Sequence, residues 1–424
     1  MTTSPDPVID TASAASDAVS KPAHENRPVR LAIVISHPVQ YFSPLFRRLA
    51  DQPEIDLTVF YSSLAGALPA LDREFGVKVA WDTPLLEGYQ FKALKNFWPG
   101  RRGGFWSYAS PGIAKELWRG CYDAVLVYGW GDLSAWLAIL AARSGKTPCM
   151  ITGDSNYIYE KQMPKLKALL KRALLTPLFR NVQAFLVTGR FNRMFYADYA
   201  VKDERMFFAP FAVDNDYFIE RALLARTSRD EIRARYGVPP HVVLLLFVGK
   251  LIQRKRPLDI ALALKRLQPT LPSLGAVWVG DGELRPQLEA EIARLGVERA
   301  CVLGFKNQNE LPDLYAMSDM FVLPSWEDPM PLVTNEAMAC GLPVIVSDRT
   351  GVWGQGGLVR EGETGYVYRA GDVAALSDAV RKLVADPELR QAMGRRAGEV
   401  VKEFSLDRCV DGILQALRFA VARA

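Results

Sequence analysis

The chain has 424 residues, 49% apolar, 10% aromatic and 23% charged, with a net charge of +5. At about 150 residues per domain this is roughly two to three folding units, with apolar side chains enough for more than one core. The composition excludes wholesale disorder, collagen and coiled coil. No apolar stretch approaches the ~18 residues of a spanning helix, since even Ala135 to Ala142 is bracketed by Asp132 and Arg143.

Residues 1–28 are rich in Ser, Thr, Ala, Asp and Pro, lack an apolar run fit for a secretory leader, and read as a disordered tail. Beyond them, β-branched apolar runs predict strands at 30–35, 56–61, 124–128, 148–151 and 184–187. Helical spacing predicts helices at 43–51, 133–143, 163–178 and 190–199. Such strands carry little polar alternation, as burial on both faces of a parallel sheet requires. After Val213-Asp214, a charged helix and Gly237-Val238-Pro239-Pro240, the rhythm restarts. Strands are expected at 242–248, 276–279, 301–303, 320–323 and 343–346, with helices at 258–267, 284–295, 311–317 and 332–339. The fold class is therefore α/β, with two doubly wound domains facing each other across a cleft. The last helices, 373–384, 387–396 and 406–420, have no strand to feed and are expected on the outside. The five cysteines are widely spaced without CxxC or a Cys/His cluster, which points to the reducing cytosol and to neither a disulfide framework nor a metal site.

In open α/β sheets ligands sit beyond the carboxyl ends of the strands, so the strand-to-helix loops hold the candidate residues. The segment from Pro324 to Pro343 ends a strand, passes an acidic loop and reaches Pro331, whose missing N–H and fixed φ suit a helix start. The free N–H groups of that first turn form an anion site suited to a diphosphate. Asp328 and Glu336 can both face the same ligand and accept hydrogen bonds from sugar hydroxyls; alternatively Asp328 caps the helix and Glu336 is solvated. Between Gly249 and Pro257 the chain places Lys250, Arg254, Lys255 and Arg256, of which the lysines can neutralise charge on a leaving group, or else form a solvated basic turn. Gly280-Asp281-Gly282 reads mainly as a turn, and Gly145-Lys146-Thr147 lacks the first glycine of a phosphate loop. In the first half, Pro38 keeps His37 out of helical geometry, so it can project toward the cleft as donor or base, or remain an ordinary loop residue. Asp132 and Asp154 end comparable strands and either meet an acceptor or cap the next helix.

From Lys161 to Arg193 the chain holds eight basic residues and no Asp or Glu, interleaved with Leu166, Leu169, Leu170, Leu174, Leu175 and Leu178. Such a helix can lie on an anionic leaflet, or bury its leucines and leave its lysines in water. No aromatic platform or binding module accompanies the charge, so nucleic acid is not expected as a partner.

An ordered series of motifs resembles the retaining glycosyltransferases of family 4. It runs through Phe247-Val248-Gly249-Lys250 with Lys255, Val279 to Leu284, Leu303-Gly304-Phe305, Pro324-Ser325, Asn335 to Ile345, Ser347-Asp348 and Gly371-Asp372. The resemblance implies a GT-B fold of two facing Rossmann-like domains: 29–213 for the acceptor, 214–404 for the nucleotide sugar, and an outer helix over 405–424. It implies that Lys250 and Lys255 bind the donor diphosphate, Glu336 holds the ribose and Asp328, where the family usually has Glu, meets the sugar. Glu327 stands one residue off that register. Pro331, in place of the usual Gly, Leu332 and Val333 would offer backbone groups, with Gly249 and Phe305 completing the donor site and His37 as a substitute for a missing central histidine. The expected function is transfer of a sugar from a nucleotide-sugar donor to a sugar or lipid-linked hydroxyl acceptor in surface polysaccharide or lipid-linked glycan synthesis. No cofactor or metal beyond the donor is expected, and the expected location is the cytoplasm, at the inner membrane face if the basic helix docks. A nucleotide-sugar epimerase, or a silent nucleotide-sugar-binding protein, would use the same two domains.

Overall fold

The computed structural model describes residues 27–72, 74, 76–98 and 104–423. The expected N-terminal tail lies outside them except for Arg27 and Pro28, and Arg27 is tied by an ion pair of 2.7 Å to Asp123.

The first domain contains β1 (Val29–Ile35), α1 (Phe42–Ala50), β2 (Ile55–Tyr61), β3 (Ala70–Asp72), β4 (Val77–Val79), β5 (Gln90–Ala93), α2 (Gly112–Gly120), β6 (Ala124–Tyr128), α3 (Leu133–Ser144), β7 (Cys149–Thr152), α4 (Tyr157–Glu160), α5 (Lys165–Phe179), β8 (Ala184–Val187), α6 (Arg190–Asp198) and β9 (Met206–Phe208). Seven strands form one sheet in the order β5-β2-β1-β6-β7-β8-β9, every neighbouring pair parallel. β3 and β4 pair separately as an antiparallel hairpin.

The second domain follows with α7 (Asn215–Thr227), α8 (Arg229–Arg235), β10 (Val243–Val248), α9 (Leu258–Leu267), β11 (Leu274–Val279), α10 (Arg285–Leu295), β12 (Ala300–Val302), α11 (Leu311–Met317), β13 (Met320–Leu323), α12 (Leu332–Ala339), β14 (Val344–Ser347), β15 (Gly365–Tyr368), α13 (Val373–Ala385), α14 (Pro387–Val400) and α15 (Leu406–Val421). Its six strands run β12-β11-β10-β13-β14-β15, again all parallel. The inner strands are apolar, save for Ser347 at the end of β14, because helices cover both faces: every residue of β11, β13 and β14 is buried.

The sequence reading lacks the helices α2 and α7 and several short strands. β5, β9 and β15 are edge strands of three or four residues, too brief to carry a periodic signal, and all four residues of β5 are exposed. The last helix also differs from the expected outer element. α15 returns from the second domain to the first and buries Leu406, Cys409, Val410, Ile413, Leu414, Leu417 and Ala420, an i, i+3, i+4 stripe, against the core of the β1-containing sheet. Gly412 permits this closeness, since a Cβ there would stand 2.0 Å from the carbonyl of Phe208. The return is fixed by Asn215, whose amide donates to the carbonyls of Val401 and Phe404, both at 3.1 Å.

The basic helix α5 buries only Leu175, Leu178 and Phe179, while Leu166, Leu169, Leu170 and Leu174 are exposed. The same domain exposes Phe97, Trp98, Phe105 and Trp106. Among the described residues no helix is long and apolar enough to cross a membrane.

Candidate active site

The carboxyl ends of β10, β11 and β13 face the loops after β1 and the β3–β4 hairpin across a cleft of about 390 Å³. Nine of the ten candidate residues line it: Gly249, Lys250, Lys255, Phe305, Asp328, Pro331, Leu332, Val333 and Glu336. They converge because β10, β11 and β13 are adjacent and parallel, so their following loops emerge on one side. The two glycine loops pack backbone to backbone. A Cβ on Gly280, which has φ +136°, would lie 1.9 Å from the Gly249 carbonyl, so no other residue fits there without displacing the Lys250 loop. The Gly280-Asp281-Gly282 turn supports that loop, with Leu251 N–H donating to the Asp281 carbonyl at 2.9 Å.

Pro331 is extended (φ −75°, ψ 95°) and α12 begins at the next residue. The first turn of α12 carries no acidic side chain, so its positive end is left to face the cleft. Lys255 forms an ion pair with Asp328, and both side chains are largely buried. Lys250 is engaged from the other domain: its Nζ lies 2.6 Å from Glu74 and 3.2 Å from Asp72 of the β3–β4 hairpin. Arg254 and Lys306 complete a lining of four cations against Asp72, Asp328 and Glu336. This balance suits a multiply charged anion held beside a polyhydroxylated group.

Glu336 is 1% exposed and accepts a hydrogen bond of 2.7 Å from the Tyr315 hydroxyl. Burial pushes its carboxyl up to about 7. Glu336 is thus a buried acid on the cleft wall, contrary to the solvated alternative. Asp328 lies in the cleft, whereas Glu327 is exposed and does not line it.

His37 is corrected by the structure. It does not line the cleft: its ring stacks on Tyr108 with centroids 5.8 Å apart, and Nδ1 lies 2.9 Å from the Ser36 hydroxyl. Burial moves the imidazole below its usual range, which favours the neutral ring. From that same loop Val39, Gln40 and Tyr41 enter the cleft instead. Asp132 caps α3, accepting from Ala135 N–H at 3.0 Å, and burial pushes it up to about 6; Asp154 is exposed, and neither lines the cleft.

Sequence reasoning missed the residues through which the first domain grips the second. Tyr159 on α4 accepts a hydrogen bond of 2.6 Å from the N–H of Asp328 and donates to the carbonyl of Arg349. Trp81 sets its ring 6.1 Å from that of Phe305, and Asp82 accepts from Asn309 N–H at 3.0 Å. No periodicity marks such contacts; the one available signal was the acidic pair Asp72 and Glu74 in an otherwise unremarked loop. Among the described residues no group of three or more His, Cys, Asp or Glu side chains could hold a metal ion.

Residues 228–400 match the family described as glycosyl transferases group 1. The chain is 33% identical over 201 residues to a D-inositol 3-phosphate glycosyltransferase of Rhodococcus opacus, an alignment covering 46% of this chain and 44% of that protein. It is 30% identical over 187 residues to an N-acetyl-alpha-D-glucosaminyl L-malate synthase of Bacillus anthracis, covering 44% and 48%. The chain thus spans about half the length of the curated relatives it matches. Over nearly its whole length it has the fold of the Anabaena protein HepE, solved with UDP and glucose, at a TM-score of 0.68 and 16% identity, with 92% of this chain and 99% of that one covered. A glycosyltransferase of Rickettsia africae gives a TM-score of 0.71 at 15% identity, covering 94% and 100%. The fold is GT-B, two facing Rossmann-like domains. None of these relatives is described as an epimerase, and that alternative is set aside.

Proposed function

We propose that the protein is a retaining glycosyltransferase of family 4 that moves a sugar from a nucleotide-sugar donor to a hydroxyl acceptor. The observation that carries this reading is the convergence of Lys250, Lys255, the start of α12 and the buried Glu336 on one interdomain cleft. In the proposed reaction the bond between the anomeric carbon and the diphosphate oxygen breaks, and the acceptor hydroxyl bonds to the anomeric carbon on the same face. The acceptor proton leaves toward the departing phosphate. Lys250 and Lys255 neutralise the charge that develops on the nucleoside diphosphate, with N–H groups of Leu332 and Val333 assisting, so the proposal includes no metal or cofactor. Asp328 orients the sugar and Glu336 takes the ribose hydroxyls. Contacts between the domains keep water from the donor, which would otherwise be hydrolysed.

The acceptor side is read as sugar-bearing or lipid-linked, in surface polysaccharide or lipid-linked glycan synthesis at the inner face of a membrane. Support comes from the exposed leucines of the basic helix α5, which alternate with its lysines, and from exposed aromatic side chains at 97, 98, 105 and 106 in the same domain. One experiment tests both parts: labelled nucleotide sugars incubated with an acceptor panel that includes a lipid-linked sugar in anionic vesicles. The expected result is free nucleoside diphosphate only when acceptor is present, a product of unchanged anomeric configuration, and protein that floats with anionic but not with neutral vesicles. Donor binding without turnover across the panel would favour the silent binding protein, and failure to float at any salt concentration would remove the membrane reading.

A further inference from the structure

A second cavity, of about 500 Å³, opens at the opposite end of the second domain's sheet, beneath the segments that lead into β13 and β14. Four arginines line it: Arg226 from α7, Arg229 from α8, and Arg390 and Arg395 from α14. The one carboxylate in its wall, Asp319, is already engaged. It accepts from Arg233 at 2.7 Å, from Arg229 at 2.8 Å and from the N–H of Leu244 at 2.8 Å. Among the described residues no carboxylate lies within ion-pair distance of Arg226, Arg390 or Arg395.

Three of these arginines finish helices. Arg226 donates to the carbonyl of Cys340 just past α12, Arg229 to those of Met317 and Ser318 at the end of α11, and Arg390 to that of Leu383 in the last turn of α13. Capping alone does not exhaust them, because a guanidinium carries five N–H donors. The Nε of Arg229 is buried without a hydrogen-bond partner. Several like charges around one recess repel. A tetrahedral oxyanion relieves that repulsion: it accepts from several guanidinium forks at once, and the glycines at 341, 394 and 398 leave the wall clear of bulky side chains.

We infer that this arginine-lined cavity binds the phosphate group of a small phosphorylated molecule, at a site separate from the interdomain cleft. α12 joins the two sites, since it begins at the cleft and the Cys340 carbonyl at its C-terminal cap meets Arg226.

The test uses the full chain carrying Lys250→Ala and Lys255→Ala, which blunts the cleft, titrated with inorganic phosphate and with pyrophosphate and followed by thermal shift and calorimetry. A ligand of the folded state raises the melting midpoint. The expected result is a rise that persists in this background and an affinity for pyrophosphate that drops at least tenfold on adding Arg390→Gln and Arg395→Gln. Because Arg390 caps a helix, Arg395→Gln is also tested alone: that side chain is exposed and caps no helix end in the structure, so its variant folds and is expected to lose part of the shift. No rise in the lysine variant, a rise untouched by the arginine changes, or an equal rise with chloride at matched ionic strength would overturn the inference.

Discussion

Lys255→Ala is expected to lower turnover by roughly 10²–10³-fold, the usual loss when one preorganised donor to a developing anion is removed. Lys255 is the decisive lysine because its ammonium sits in the cleft wall against Asp328, 13% exposed, where solvent screens it little. Lys250 is the less clean probe: its pairs with Asp72 and Glu74 come from the other domain, so its removal also loosens the contact between the lobes. The Lys255 variant leaves Asp328 buried without its cation, which further disfavours an anionic donor. The check is steady-state kinetics with a turned-over nucleotide sugar alongside donor titration. A drop in kcat larger than the rise in KM identifies a role in the departure of the diphosphate. A variant within a few-fold of wild type would show that the leaving group is stabilised elsewhere.

Glu336→Gln is expected to separate function from stability. Its carboxyl stands at about 7 in the fold, against an ordinary value of about 4.3 in an unfolded chain. The folded state therefore binds the proton more tightly, and stability is highest below about pH 4.3 and declines as pH rises toward 7, where the folded carboxyl ionises. At pH 8 the buried charge costs on the order of 3 kcal/mol, a cost the neutral amide does not carry, while the amide oxygen still accepts from Tyr315. Chemical denaturation should then show the variant more stable than wild type at pH 8, with the gap shrinking as pH falls, to about 1 kcal/mol at pH 5 and close to zero below about pH 4. Donor binding should move the other way, weakening roughly tenfold or more, since hydrogen bonds to a charged acceptor contribute about 1.5–3 kcal/mol. A variant that loses stability at pH 8, or binds donor unchanged, would contradict the assignment of Glu336 to the ribose.

The alternation of apolar runs with helical spacing was enough to place both sheets, because central parallel strands such as Leu274–Val279 are apolar throughout and leave a strong signal. The same reading brought the Lys250 loop, the Asp328 loop and the α12 start to one cleft, since adjacent parallel strands deliver their loops to one side. What the sequence could not convey depends on contacts distant along the chain. Nothing local says that α15 crosses back to bury Ile413 and Leu417 against the first sheet, that Tyr159 meets the N–H of Asp328, or that Glu74 reaches Lys250. His37 was misplaced for a related reason. Its position after β1 is correct for a cleft residue, but a stacking partner 71 residues away, Tyr108, holds the ring inside its own domain, and Tyr41 takes the place facing Glu336.

In the proposed reaction the two lysines and the start of α12 hold a diphosphate between the domains. A crystal structure of the protein with a bound nucleoside diphosphate tests it most directly. The expected result puts phosphate oxygens within hydrogen-bond distance of the Lys255 ammonium and of the N–H of Leu332 or Val333, with the ribose against Glu336. A diphosphate bound away from these groups, with both lysines still held by their carboxylates, would contradict it.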